Sequence, residues 1–541
     1  MVSRTTTEES NNTTKEIVMN SKSLAFLKRN HKLFGVLVAA VVAMGTLSTT
    51  ASSGATPTQL VIADNEPPQT FDPQQAGNST VNEVVIPLYD VLVDFDSQSK
   101  LGPRLAKSWA VSANGKTITI ALRKDVKFHD GTGLTSADVK YTLDRIKKIN
   151  TGVASELAAY SSTTIVDAFN LKLNLSSASA PFLSALSRAY ILNSKLVELN
   201  AGDDSGQTWL ANNEAGSGPY TLKSYTTNQE ANFSKFASYW RGFTKQADNI
   251  VIRYIPQSAT QRDLLKSGEI NLAVDIATAD LPSFGKDTKY VVDQRDTMVQ
   301  LYIFFNTQKG VTKNPKVREA IRLAYDYQSH VKNILAGAGA IAQGPLPTVM
   351  NCHAPIKPGK QDLVRAKALL KEAGVSNLKI KMSYLSVIEE MARAGTLLQS
   401  ALKTIGVNLE LQTVTFPEYM SQVSKVATTP DLGMIYAFPS YPDPNAVLSI
   451  NFDSKNIGGG YNYASYSNPA VDKLVRAAAI ESNPAKRCAL YVSAQKAIEA
   501  DFVAINISNP KFVSVHDKKV SGNYYRPAHH NTIDFYSIMM K

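Results

Sequence analysis

The chain has 541 residues, of which 44% are hydrophobic and 19% charged. This length exceeds what one hydrophobic core usually serves, and the composition is that of folded chains, so two or more lobes are expected and wholesale disorder is excluded. The formal net charge of +11 invites a nucleic-acid reading. The Lys and Arg residues are scattered, however, without a basic run of five or a basic stripe interleaved with aromatics, so a basic surface that binds no nucleic acid is the better account.

Residues 1–55 read as a signal peptide and linker. Lys28, Arg29 and Lys32 precede an uncharged apolar run over 33–47, and small residues follow, with Ala51 or Ala55 suited to cleavage. Met19, followed by Lys22, would open a leader of ordinary length. The apolar run holds 15 residues, fewer than the roughly 20 a membrane-spanning helix needs. No cysteine follows it, so the expectation is an exported chain without a lipid anchor, in the periplasm or at the extracellular face of the membrane.

Beyond the linker, residues 59–63 read as a short buried strand. Asn114-Gly115 supplies the positive φ that both central positions of a type I′ turn require, and Ile118, Ile120 and Leu122 alternate after it, which predicts a β-hairpin. Thr135 with Asp138 forms a capping-box pattern, and Val139, Leu143 and Ile146 then share one helical face. Residues 337–342 match GxGxxA but follow a helix and run into Pro345, so they read as a glycine-rich connection. A helix over 362–373 stops at Gly374. Alternation through Ile380, Met382 and Tyr384, a helix over 388–404, and alternation through Val407, Leu409 and Leu411 predict a right-handed βαβ crossover, with 431–438 as a third strand. Asn468-Pro469 and Asn483-Pro484 each open a helix.

Catalytic and metal patterns are missing. The chain has no HExxH, GxSxG, Walker A or EF-hand sequence. Cys352-His353 and His529-His530 are adjacent pairs without a third ligand at metal spacing, so no metal or cofactor is expected. His129 reads as a structural hydrogen-bonding residue. Glu389 and Glu390 point apart on a helix and cannot share acid/base work. Cys352 and Cys488 are the only cysteines; one bridge or two separate thiols both fit.

Several segments together resemble the family 5 extracellular solute-binding proteins, the peptide and nickel receptors of ABC importers. They are residues 102–109, 126–131 and 134–139, Gly216-Ser217-Gly218-Pro219-Tyr220, Tyr239-Trp240-Arg241-Gly242, 265–272, Phe305-Asn306-Thr307, 317–321, 366–374, Tyr441-Pro442-Asp443-Pro444 and Tyr466-Ser467-Asn468-Pro469. The resemblance spans roughly 57–510. It implies an α/β fold, the two-lobed type II periplasmic-binding-protein clamshell in its enlarged form. Lobe one would comprise 56–298 and 509–541 with a subdomain inserted at about 85–215, and lobe two 299–508. Crossing segments near 299–304 and 505–512 would form the hinge.

The same resemblance implies a monomer that is no enzyme. It would close on a small polar molecule, such as an oligopeptide or a peptide-like compound, and deliver it to ABC permease subunits at the membrane. Ligand-binding candidates are Asn78, Ser79, Thr80, Ser217, Gly218, Phe438, Ser440, Tyr441 and Asp443. One departure bears on the ligand. Peptide-binding members carry an aspartate for the ligand's α-ammonium where this chain has Ser440, and a tryptophan where it has Ala437. A free-amine peptide recognised in the usual way is therefore not expected, unless Asp443 or Glu390 substitutes. Two other readings are a secreted hydrolase with an unrecognised nucleophile and a ligand-sensing receptor component.

Overall fold

The computed structural model describes residues 57–76, 79–459, 461–528 and 532–541. The leader, Asn78, His529 and His530 lie outside the described residues. The first strand, β1 (Gln59–Asp64), buries Leu60, Ile62 and Ala63. The helix after it, α1 (Ser79–Leu88), buries Val81, Val84, Val85 and Leu88, the i, i+3, i+4, i+7 stripe of a helix laid on a sheet.

The expected hairpin forms from β2 (Ala106–Val111) and β3 (Thr117–Leu122), but its turn is not type I′. Only Gly115 has positive φ, at 67°; Asn114 instead accepts the Lys116 N–H on its side-chain oxygen at 3.0 Å, and Gly115 N–H donates to Ser112 O at 2.9 Å. The connection is longer than two residues, so a turn stabilised by the Asn side chain with one left-handed glycine replaces the tight pair. Helix α2 (Ser136–Ile149) starts at the Thr135/Asp138 capping box and packs Val139, Leu143 and Ile146 onto the sheet β2-β3-β5-β4, completed by β4 (Tyr160–Asp167) and β5 (Asn170–Leu175).

The first large sheet continues with β6 (Tyr220–Thr226), β7 (Glu230–Lys235), β8 (Asn249–Tyr254) and β9 (Leu272–Ala273); β1 lies parallel to both β8 and β9. β10 (Tyr290–Asp296) and β11 (Gln300–Phe305) follow. The glycine-rich stretch contains a short edge strand, β12 (Gly339–Ile341), rather than only a connection.

Helix α3 (Leu363–Glu372) precedes Gly374, which has a φ of 69°. The crossover then appears as β13 (Leu378–Leu385), α4 (Glu389–Thr404) and β14 (Val407–Val414), with β13 and β14 parallel along their full length. β15 (Leu432–Ala437) pairs parallel with β13 and antiparallel with β11. Three helices follow, α5 (Asn445–Phe452), α6 (Pro469–Ile480) and α7 (Pro484–Ala500), the last two capped by the side chains of Asn468 and Asn483. Cys352 and Cys488 are bonded, which ties the loop at 352 to α7.

One long strand joins the halves. In β16 (Ala504–Asp517), residues 504–508 pair with β11 and 511–517 pair with β10, and Thr297 Oγ1 donates to Pro510 O at 2.6 Å where the two segments run side by side. Among the described residues this makes a twelve-stranded sheet, ordered β14-β13-β15-β11-β16-β9-β1-β8-β7-β6, with β10 and β12 also on β16. Separate cores flank the crossing. One draws on 298–507, one on 60–272 and 512–538, and a third on 92–191. The third core also takes in Tyr441 and Ala446, side chains from far along the sequence.

Candidate functional site

In open α/β sheets, ligands sit beyond the carboxyl ends of the strands. Here the parallel strands β8, β1 and β9 end together and leave Tyr254, Asp64 and, two residues on, Asp275 along one rim. Asp64, Asp275, Glu66, and Thr80 and Glu83 from α1 line a cavity of about 620 Å³. Its other walls are Lys511 and Phe512 of the crossing strand, Tyr436 at the end of β15, and Ile388 just before α4. Residues from both large cores and from the strand between them thus face one space.

The cavity is acidic in a basic protein. Four carboxylates, Asp64, Glu66, Glu83 and Asp275, face one lysine, Lys511, and that lysine lies 4.0 Å from Asp296. No described Lys, Arg or His forms an ion pair with any of the four. Glu83 is 5% exposed. Burial first, then the charge of Asp64 and a hydrogen bond to it, holds its carboxyl well above the usual range. Burial and the charge of Asp64 also raise Asp275, against a hydrogen bond from Asn65. Across the cavity, Tyr436 donates to Glu390 Oε2, and His330 Nε2 lies 3.3 Å from Glu390 Oε1. Burial and then Glu390 push the Tyr436 hydroxyl well up, which keeps it a neutral donor.

Residues 100–459, more than half of the chain, match the family described as bacterial extracellular solute-binding proteins, family 5 Middle. The chain belongs to this family. It is similar to the probable D,D-dipeptide-binding periplasmic protein DdpA of Escherichia coli K12, at 28% identity over 86% of this chain and 92% of the relative. It is also 28% identical to the glutathione-binding protein GsiB of Pectobacterium atrosepticum, over 86% of this chain and 91% of that one. The ABC transporter-associated periplasmic binding protein DppA of Helicobacter pylori, solved with the peptide STSA, superposes with a TM-score of 0.76 at 24% identity, covering 90% of this chain and 98% of that one. The shared fold is the two-lobed type II architecture with a large mixed sheet. Among the described residues, no helix is long and apolar enough to cross a membrane.

Within this family 5 chain the candidate residues separate. Thr80 lines the cavity. Asn78 and the side chain of Ser79, the first residue of α1, lie outside what is described. Ser217 is buried and donates to Asp90 Oδ2 at 3.4 Å, and Gly218 donates its N–H to Leu88 O at 2.9 Å. A Cβ at Gly218 would stand 2.4 Å from Pro87 O, so this glycine serves a close backbone approach. His129 is held at both ring nitrogens, by Glu214 Oε1 at 2.7 Å and Gly218 O at 2.9 Å, which matches its expected structural part.

The remaining candidates follow β15. Phe438 is 42% exposed, and Ser440 is exposed and hydrogen-bonded to Glu156, itself 3.5 Å from Arg188. Tyr441, 5% exposed, is built into the third core. Asp443, 4% exposed, accepts from Arg487 at 2.7 Å and from Asn445 N–H at 2.9 Å. Neither Asp443 nor Glu390 is without partners. Sequence reasoning passed over Asp64, Glu83, Asp275 and Tyr436. Asp64 directly follows the strand read at 59–63, so the strand-end rule applied to that strand would have found it.

The one described serine–histidine contact on this side of the molecule offers no nucleophile. Ser508 Oγ lies 3.1 Å from His330 Nε2, but both residues are fully buried and the other ring nitrogen is held by Tyr325.

Proposed function

We propose that this chain is a binding protein without catalytic activity that takes a small polar molecule, an oligopeptide or peptide-like compound, into the cavity between two lobes and delivers it to the permease of an ABC importer. Lobe one is 56–298 with 509–541 and carries the subdomain at about 85–215; lobe two is 299–508. Residues 1–55, a signal peptide and linker, export the chain to the periplasm or the extracellular face, and the protein acts there as a monomer. The observation that carries this reading is the cavity itself, at strand ends from both large cores and against the strand shared by them. Names of relatives add support, since DdpA and GsiB are named for peptide ligands.

A ligand that touches both lobes stabilises the closed form by its differential affinity for it. The pairing at β11 and β16 consists of backbone hydrogen bonds, which bend without being lost. Calorimetry with di- to pentapeptides, together with small-angle scattering, tests the proposal. Saturable binding accompanied by a smaller radius of gyration is expected. A rigid profile with no binding to any peptide would overturn it.

A further inference from the structure

The cleft presents carboxylates that the protein does not neutralise. Glu83 is buried and Asp64, half-buried, lies beside it, joined to it by a hydrogen bond, and no described basic residue pairs with either. Buried carboxylates are costly unless they share a proton or meet a cation. A second, independent sign stands beside them. Tyr254 is 6% exposed and its hydroxyl has no hydrogen-bond partner, although it lies close enough to Glu83 and Asp64 for both charges to act on it. Several buried carboxylates elsewhere in the molecule meet arginines, as in Asp443 with Arg487 and Asp72 with Arg145 at 2.8 Å. The bare set occurs at the strand ends where a ligand would lie.

We propose that the carboxylates of Asp64, Glu83 and Asp275 receive the cationic group, an ammonium or a guanidinium, of a small organic ligand. This rests on the cavity being the ligand site. The occupant is organic, because among the described residues no three His, Cys, Asp or Glu side chains converge closely enough to hold a metal ion. An ammonium brings three N–H donors to the oxygens of Glu83, Asp64 and Tyr254, and a guanidinium brings up to five. Lys511 and Phe512 of the crossing strand face the same space, so a cation drawn to this floor also comes against the strand that closure bends. Ser440, which is not among the residues lining this cavity, then lacks a carboxylate without loss, since Asp64, Glu83 and Asp275 meet the positive end of the ligand.

The titratable groups that share the cavity with Glu83 are Asp64, Glu66, Asp275, Lys511 and, across it, Tyr436, and Tyr254 lies close to Glu83 and Asp64. Arrival of a cation displaces the shared proton, so binding strengthens as pH rises and releases protons.

The test compares two tripeptide libraries on the mature chain by calorimetry. One carries a free α-amine and a Lys or Arg; the other is N-acetylated, with norleucine or citrulline at those positions. Tighter binding of the cationic library by about tenfold or more is expected, with Glu83→Gln and Asp275→Asn each losing about tenfold more on it than on the neutral library. The two variants lie on different elements, and a thermal unfolding midpoint no lower than the parent's keeps a folding defect distinct from a lost contact. Equal affinity for both libraries, or variants indifferent on the cationic one, overturns the inference while leaving ligand capture intact. Binding of neither library defeats the reading of the cavity itself and this inference with it.

Discussion

The floor of the cleft and the segment at 438–446 make opposite use of their carboxylates. At the floor, Asp64, Glu83 and Asp275 stand together without an arginine or lysine paired to them. At 438–446, Asp443 is held by Arg487 and by a backbone amide, Ser440 leans on Glu156, which faces Arg188, and Tyr441 fills the third core. Ala180 N–H also donates to Ala479 O nearby in sequence to these contacts, at 2.9 Å, so the third core and the helical half meet through backbone as well. A carboxylate that already has its cation is architecture. One that lacks it is available for chemistry.

The largest effect expected from breaking this contrast is at Tyr441. Tyr441→Ala empties an aromatic site in the third core and should cost about 3–5 kcal/mol in urea unfolding. Next, Arg487→Met leaves Asp443 buried with no cation, for a loss of about 3 kcal/mol. The double variant Arg487→Met/Asp443→Asn should recover much of that loss, because the charge is removed together with its partner.

The floor should respond to pH and with the reverse preference. Glu83 is raised above the ordinary carboxylate range by burial and by Asp64, so the folded chain keeps a proton that the unfolded chain releases near about pH 4.3. Its contribution to stability is complete below the unfolded value and is lost as pH rises through the folded one. Asp275, raised by burial and Asp64, acts in the same direction. Glu83→Gln should therefore flatten the fall in unfolding midpoint from acid to neutral pH and leave the chain more stable than the parent at neutral pH. An unchanged slope would show that Glu83 is not protonated in the empty cleft. The smallest effect is at Ser440, where Ser440→Ala at an exposed position should stay within about 0.5 kcal/mol.

Much of the fold was legible because local patterns report local structure. The capping box at Thr135, the Asn-Pro starts of two helices and the β13-α4-β14 crossover follow from side-chain period and terminal hydrogen bonding over a few residues. The turn at Asn114-Gly115 was misjudged for a related reason. The dipeptide fits a type I′ turn, but pairing between Val111 and Ile118 sets a longer connection, and register belongs to the two strands together.

The site was legible only in part. The sequence by itself determined the family resemblance, the strands and helices, and the fact that an aspartate ends the first strand. The structure decided which acidic residues meet a cation. Asp443 and Arg487 are 44 residues apart, and Glu156 meets Ser440 from the other end of the chain. Asp64, Glu83 and Asp275 gather only because three parallel strands end, and a helix begins, at one rim. The Cys352–Cys488 bond was left open by spacing for the same reason. Propensity acts between near neighbours along the chain, whereas the energy of a buried charge depends on what folding brings within a few ångströms of it, from any distance in sequence.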